Sequence, residues 1–134
     1  MSVKGKIKMN SWRNLTTNMI LYCKEWEKTV KFYRDDLSLP VNFMNDWFVE
    51  FCLTENSRLS IANEQRSTIK SPSKKGITIA LQVEDIDAVW EEVMKKKLEP
   101  TKIKLHPWDA RVFCLFDPEG HRLEIWQFHK QTEK

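Results

Sequence analysis

The run Asp117-Pro118-Glu119-Gly120-His121-Arg122-Leu123-Glu124-Ile125-Trp126-Gln127 pairs a turn, DPEGH, with a strand, RLEIWQ. Pro118 presets φ for the turn, and Gly120 supplies the positive φ that other residues resist. Along the strand, Leu123, Ile125 and Gln127 point to one side and Glu124 and Trp126 to the other. A carboxylate beside a tryptophan on one strand face has two readings. Either the strand is an edge wetted by solvent, or that face lines a pocket.

The rest of the chain repeats what leads into this strand. Ile77, Ile79, Leu81 and Val83 alternate with Thr78, Ala80 and Gln82, which is strand period. Asp85 can cap a helix whose apolar positions are Ile86, Val89, Trp90 and Val93, with Pro100 beyond its end. Arg111 to Phe116 (RVFCLF) is the next strand. Earlier, Thr16 to Cys23 alternates in the same way. Trp26, Thr29, Val30, Tyr33 and Leu37 follow helical offsets, with Pro40 beyond. Trp47 to Leu53 (WFVEFCL) and Arg58 to Asn63 (RLSIAN) read as strands around a turn at Glu55-Asn56-Ser57. Trp26 matches Ile86, Val30 matches Trp90 and Pro40 matches Pro100, each offset by 60. Phe51-Cys52-Leu53 matches Phe113-Cys114-Leu115 at offset 62, and Arg58-Leu59-Ser60-Ile61 matches Arg122-Leu123-Glu124-Ile125 at offset 64. The drift places small insertions in loops of the second copy. The chain is therefore duplicated. Residues 1–15 read as a tail or edge extension and 16–130 as one domain. Repeat 1 covers about 16–64, repeat 2 about 77–128, and 65–76 form a polar linker.

Each helix has one apolar face to lay on its sheet. The helix side carries Met19, Leu21, Leu59, Ile61, Ile77, Ile79, Leu81, Val83, Leu123 and Ile125, which reads as core. The other side carries Asn18, Ile20, Tyr22, Ser60, Ala62, Thr78, Ala80, Gln82, Glu124 and Trp126. That mixture of small, polar and aromatic side chains is the composition of a binding cavity. A half-solvated sheet is the alternative, and the cavity accounts for Tyr22 and Trp126 together.

Composition narrows the class. The 134 residues, 41% of them hydrophobic, suffice for a core. A net charge of +3 with scattered lysines gives no nucleic-acid footprint. Cys23, Cys52 and Cys114 lack metal-type spacing and read as reduced thiols in apolar runs. No apolar run approaches the roughly 20 residues of a membrane span, and no signal-peptide core is seen, so a cytoplasmic protein is expected.

The runs Trp26 to Pro40 (WEKTVKFYRDDLSLP), Ile77 to Trp90 (ITIALQVEDIDAVW) and Phe113 to Trp126 (FCLFDPEGHRLEIW) resemble the vicinal oxygen chelate superfamily. That group includes glyoxalase I, extradiol dioxygenases, fosfomycin-resistance enzymes and bleomycin-resistance proteins. The resemblance runs from about Thr16 to Phe128. It implies an α+β fold: two tandem βαβββ modules forming an open, incomplete eight-stranded barrel around a cavity, completed as a homodimer. In metal-using members, His or Gln on each module's first strand and Glu near its last strand hold a divalent ion. Those positions fall here on Asn18, Thr78, Ser60 and Glu124, and Glu124 alone matches. Asn, Ser and Thr oxygens are weak neutral ligands, and one carboxylate leaves an ion mostly hydrated. No metal site and no cofactor are expected, with a weakly held divalent ion left open. His106, His121 and His129 do not complete the set.

Glu124 then has three readings: a general acid or base whose pKa is raised by desolvation, a salt-bridge partner of Arg111 or Arg58, or a recognition group. With Tyr22 and Trp126 it would favour a flat or cationic ligand. Asn18, Ser60, Thr78, Gln82, Trp108 and Arg111 complete the candidate ligand-binding set. Two functions follow. One is a metal-independent protein that sequesters an antibiotic or metabolite, although a mildly basic chain is a poor host for bleomycin itself. The other is a glyoxalase-type lyase or isomerase using Glu124 as base or metal ligand. A nucleic-acid binder would show steeply salt-dependent affinity.

Overall fold

The computed structural model describes residues 15–68 and 77–129. Most of the expected tail and the 69–76 part of the expected linker lie outside them. Strand β1 (Thr17–Cys23) leads into helix α1 (Trp26–Lys31), which continues as a widened π turn over Phe32–Asp36. Strands β2 (Val41–Met44), β3 (Phe48–Thr54) and β4 (Ser57–Asn63) follow. The second half repeats the plan with β5 (Thr78–Gln82), α2 (Ile86–Lys95), β6 (Lys104–His106), β7 (Ala110–Phe116) and β8 (Arg122–Phe128). The two sheets have orders β1-β4-β3-β2 and β5-β8-β7-β6 and do not join into a closed barrel. In each, the first strand lies parallel to the last and the remaining pairs are antiparallel. The parallel pairing needs a long crossover, and the helix with the two strands after it provides one. The duplication read in the sequence is thus a duplication of βαβββ modules.

Two strands were not separately legible in the sequence. Strands β2 and β6 are short edges, and β2 is exposed along its whole length, so neither shows alternating burial. The first helix also departs from its expected continuous run to Leu37. At its end the Leu37 amide donates to the Phe32 carbonyl, 2.9 Å away, the wider spacing of a π turn. The widened turn lets consecutive residues Phe32 and Tyr33 both be buried, with their rings edge to face at 5.0 Å.

Leu21, Val49, Phe51, Leu59 and Ile61 of the first sheet and Ile79, Phe113, Leu115, Leu123 and Ile125 of the second join Val30, Ile86 and Val93 of the helices in one core. The helix-side residues are therefore the core, with Met19 as the exception. Met19 is exposed. Helix α2 is capped twice. The Asp85 carboxylate accepts from the Ala88 amide at 3.1 Å, and the Gln127 side-chain oxygen accepts from the Ile86 amide at 2.8 Å.

The modules are tied together by the DPEGH turn. Gly120 has φ of 93°, and its amide donates to the Asp117 carbonyl at 2.9 Å. The buried Asp117 carboxylate accepts from the amides of Glu119 and His121, shares a hydrogen bond with His121 Nδ1 at 2.7 Å, and accepts from the Tyr33 hydroxyl at 2.7 Å. Tyr33 belongs to the first module, so this carboxylate joins the two halves. The Glu119 carboxylate adds a second tie by accepting from the Glu25 amide just before α1. His121 is accordingly a buried turn residue that bonds locally.

Candidate functional site

The face of the second sheet turned away from α2 follows from strand parity. Arg122, Glu124, Trp126 and Phe128 of β8 share it with Ala110, Val112, Cys114 and Phe116 of β7 and with Thr78, Ala80 and Gln82 of β5. The register sets three rows across the sheet: Thr78–Arg122–Phe116, Ala80–Glu124–Cys114 and Gln82–Trp126–Val112. The Trp126 ring meets Phe128 edge to face at 4.9 Å and Trp108 at 5.3 Å. Trp108 is carried over Trp126 by the β6–β7 hairpin. That hairpin closes through Asp109, at φ of 62°, whose amide donates to the His106 carbonyl. The His106 ring stands 6.4 Å from Trp108. The result is a wall of edge-to-face rings in which Trp108 remains 48% exposed. Thr78 and Ala80, both small and exposed, leave room beside Glu124.

Of the readings open for Glu124, the ion pair with an arginine is present, but with a different arginine from the two expected. Arg122 Nη2 lies 3.6 Å from its Oε2. Neither arginine proposed as its partner is available to it. Arg58 pairs with Glu50 at 3.5 Å and donates to the carbonyls of Thr54, Glu55 and Ser57. Arg111 makes a bidentate pair with Asp87 of α2, both bonds 2.8 Å, which raises the arginine pKa and lowers the aspartate pKa through that hydrogen bonding. This also corrects the placement of Arg111 among ligand-facing residues. Its parity with Phe113 and Leu115 puts it on the helix side.

The four positions at which the resemblance implies a divalent ion carry a poor donor set. Asn18 Oδ1 already accepts from Ser60 Oγ at 2.8 Å, Thr78 offers one neutral hydroxyl, and Glu124 sits beside a guanidinium that repels a cation. No cluster of three His, Cys, Asp or Glu side chains suited to a metal occurs among the described residues. These residues do not fit the ion.

On the first sheet, the face turned from α1 carries Asn18, exposed, Tyr22, half-buried, and Ser60, fully buried. The register sets Ile20 beside Ser60 and Tyr22 beside Ala62 there, and the polar side chains of the face are paired with one another, Ser60 with Asn18 and Arg58 with Glu50. Phe43 and Phe48 approach to 6.5 Å near the open edge. Gln82 is exposed beside Trp126. The surface hollows lie elsewhere. One of about 280 Å³ is rimmed by Lys24, Glu25, Trp26, Lys28 and Gln65, and a wider one of about 400 Å³ by Asp87, Trp90, Glu91, Lys102 and Ile103. Both are open, and neither includes a candidate residue. The aromatic and polar face around Trp126 holds the denser chemistry, so it is the better candidate. Sequence reasoning passed over Arg122 and Phe128 on that face, although counting in twos from Glu124 finds both, and it had set His106 and Cys114 aside.

Residues 16–125 match the profile of the Glyoxalase/Bleomycin resistance protein/Dioxygenase superfamily. The chain is 24% identical over 120 residues to the uncharacterized protein YraH of Bacillus subtilis strain 168, covering 80% of this chain and 93% of that one. A glyoxalase/bleomycin resistance protein/dioxygenase from Nocardioides superposes with a TM-score of 0.74 at 19% identity, covering 97% of this chain and 92% of that one. Lactoylglutathione lyase from Agrobacterium tumefaciens superposes with a TM-score of 0.69 at 15% identity, covering 83% and 91%. At such identities the structural likeness speaks for the fold alone.

Proposed function

We propose that this chain, which belongs to the Glyoxalase/Bleomycin resistance protein/Dioxygenase superfamily, binds a flat small molecule against the sheet face around Trp126 and does so without a metal ion. The observation that carries the reading is the wall of Trp108, Trp126 and Phe128 standing partly exposed next to Glu124. Aromatic faces left open to water favour a stacked ligand by about 1 kcal/mol per ring pair beyond the area buried. Glu124 accepts a hydrogen bond from the ligand rim. Arg122 beside it offsets its charge, so planarity rather than positive charge is the main criterion. The function is sequestration of a metabolite or antibiotic.

A second copy of the chain covers the exposed Val41, Phe43 and Met44 of edge strand β2. The functional molecule is then a homodimer, and light scattering at micromolar concentration reads twice the chain mass.

Two flat probes of opposite charge test the ligand reading: proflavine, a cation, and acridine-9-carboxylate, an anion. Isothermal titration in EDTA is expected to give saturable binding of both, unchanged when Ni²⁺, Zn²⁺ or Mn²⁺ replaces EDTA. Binding that appears only with added metal would overturn the metal-free reading, and no binding of either probe would overturn the flat-ligand reading.

A further inference from the structure

Each sheet carries a cysteine and an arginine on the face turned from its helix, but in different register, and the two modules use them differently. In the first, Cys52 lies opposite Arg58 in the register. Arg58 is occupied by Glu50 and three turn carbonyls, and its side chain is 19% exposed. In the second, Cys114 lies directly opposite Glu124, and Arg122 stands one pleat away on the same face. Arg122 is 49% exposed and lies 3.6 Å from Glu124. Its neighbours on this face, Cys114 first and then Glu124, hold its pKa above the ordinary range. On the other side of Glu124 the side chain is only Ala80. A nucleophile, a proton acceptor and a cation thus share neighbouring rows of one sheet face, with Glu50 in the place of Cys114 in the first module.

We propose that Cys114, Glu124 and Arg122 form a thiol site that adds to α,β-unsaturated carbonyl compounds carrying a carboxylate. The thiol proton passes to the Glu124 carboxylate. The sulfur electron pair forms a bond to the β-carbon, and the alkene pair shifts to the α-carbon, which takes the proton back from Glu124. Nothing leaves and no oxidant or reductant is consumed. Arg122 pairs with the ligand carboxylate and sets the preference for an anionic electrophile. The proposal does not rest on the flat-ligand reading, because it needs only that a small reagent reach Cys114.

Two maleimides that differ in one charge test it: N-ethylmaleimide, neutral, and 3-maleimidopropionic acid, anionic. Labelling rates at Cys114 and Cys52 are read from the same protein by peptide mass spectrometry, and buried Cys23 reports that the fold is intact by staying unlabelled. The ratio of anionic to neutral rate at Cys114 is expected to exceed that at Cys52 by about fivefold, the effect of one exposed charge pair. Arg122→Gln should remove the excess, Arg122→Lys should keep most of it, and Glu124→Gln should slow both reagents at Cys114. Equal ratios at the two cysteines, an excess that survives Arg122→Gln, or a Cys114 inert to both reagents would overturn the proposal.

Discussion

Asp117 accepts from the amides of Glu119 and His121 and from the Tyr33 hydroxyl, and it does so while buried. Burial first, and then the charge and hydrogen bond of Asp117, push the Tyr33 hydroxyl far above its ordinary pKa. The sign of the consequence is fixed. A phenol whose pKa is higher folded than unfolded contributes stability that is fully present below pH ~10 and lost as pH rises further. Urea midpoints should therefore fall above pH ~10, and Tyr33→Phe should flatten that fall. At neutral pH the same substitution is expected to lower stability by about 1–2 kcal/mol, since it removes a donor from a buried carboxylate. Trp108→Ala makes the opposite case. Its exposed ring has little to lose on folding, so stability should change by less than about 0.5 kcal/mol, while affinity for the flat probes drops roughly fivefold or more. Of these residues, Trp126 and Glu124 were legible from alternation along a single strand. The Tyr33–Asp117 bond was not, because it joins positions 84 apart and no local period records such a pairing. Arg111 was placed with the ligand-facing residues, whereas its parity with Phe113 and Leu115 points it at Asp87.

Among the elements, the two modules share a plan but not their helix starts. Helix α2 has Asp85 as a side-chain cap, whereas α1 has no side-chain cap and takes its amide partner from Glu119 of the other module. Asp85→Ala should cost about 1 kcal/mol, read as a shift in urea midpoint at constant slope. The helices and the longer strands were visible in the sequence because each lays a repeating apolar face on the core. The edge strands β2 and β6 were not, because an exposed three- or four-residue strand has no buried face to mark it. The π turn was invisible for a related reason: Tyr33 and Leu37 fit the helical offsets from Trp26, so nothing announced the wider turn that goes with burial of Phe32 as well.

At the scale of the whole molecule, one core runs through both modules, and the helix-free sheet faces are left for other work. The physical reason is plain: each sheet has two faces and the chain supplies one helix per sheet. The fold could be read from the duplication, but the identity of the ligand could not, since one scaffold carries many sites. The central claim is that the face around Trp126 receives a flat molecule without a metal. Its most direct test uses the six tryptophan indoles of the chain as reporters. In a nitrogen–proton spectrum recorded in EDTA with the tighter-binding acridine probe, the resonances of Trp108 and Trp126 should shift together and saturate, while those of Trp26 and Trp90 stay in place. Shifts confined to Trp26 or Trp90, or shifts that require added metal, would contradict the account.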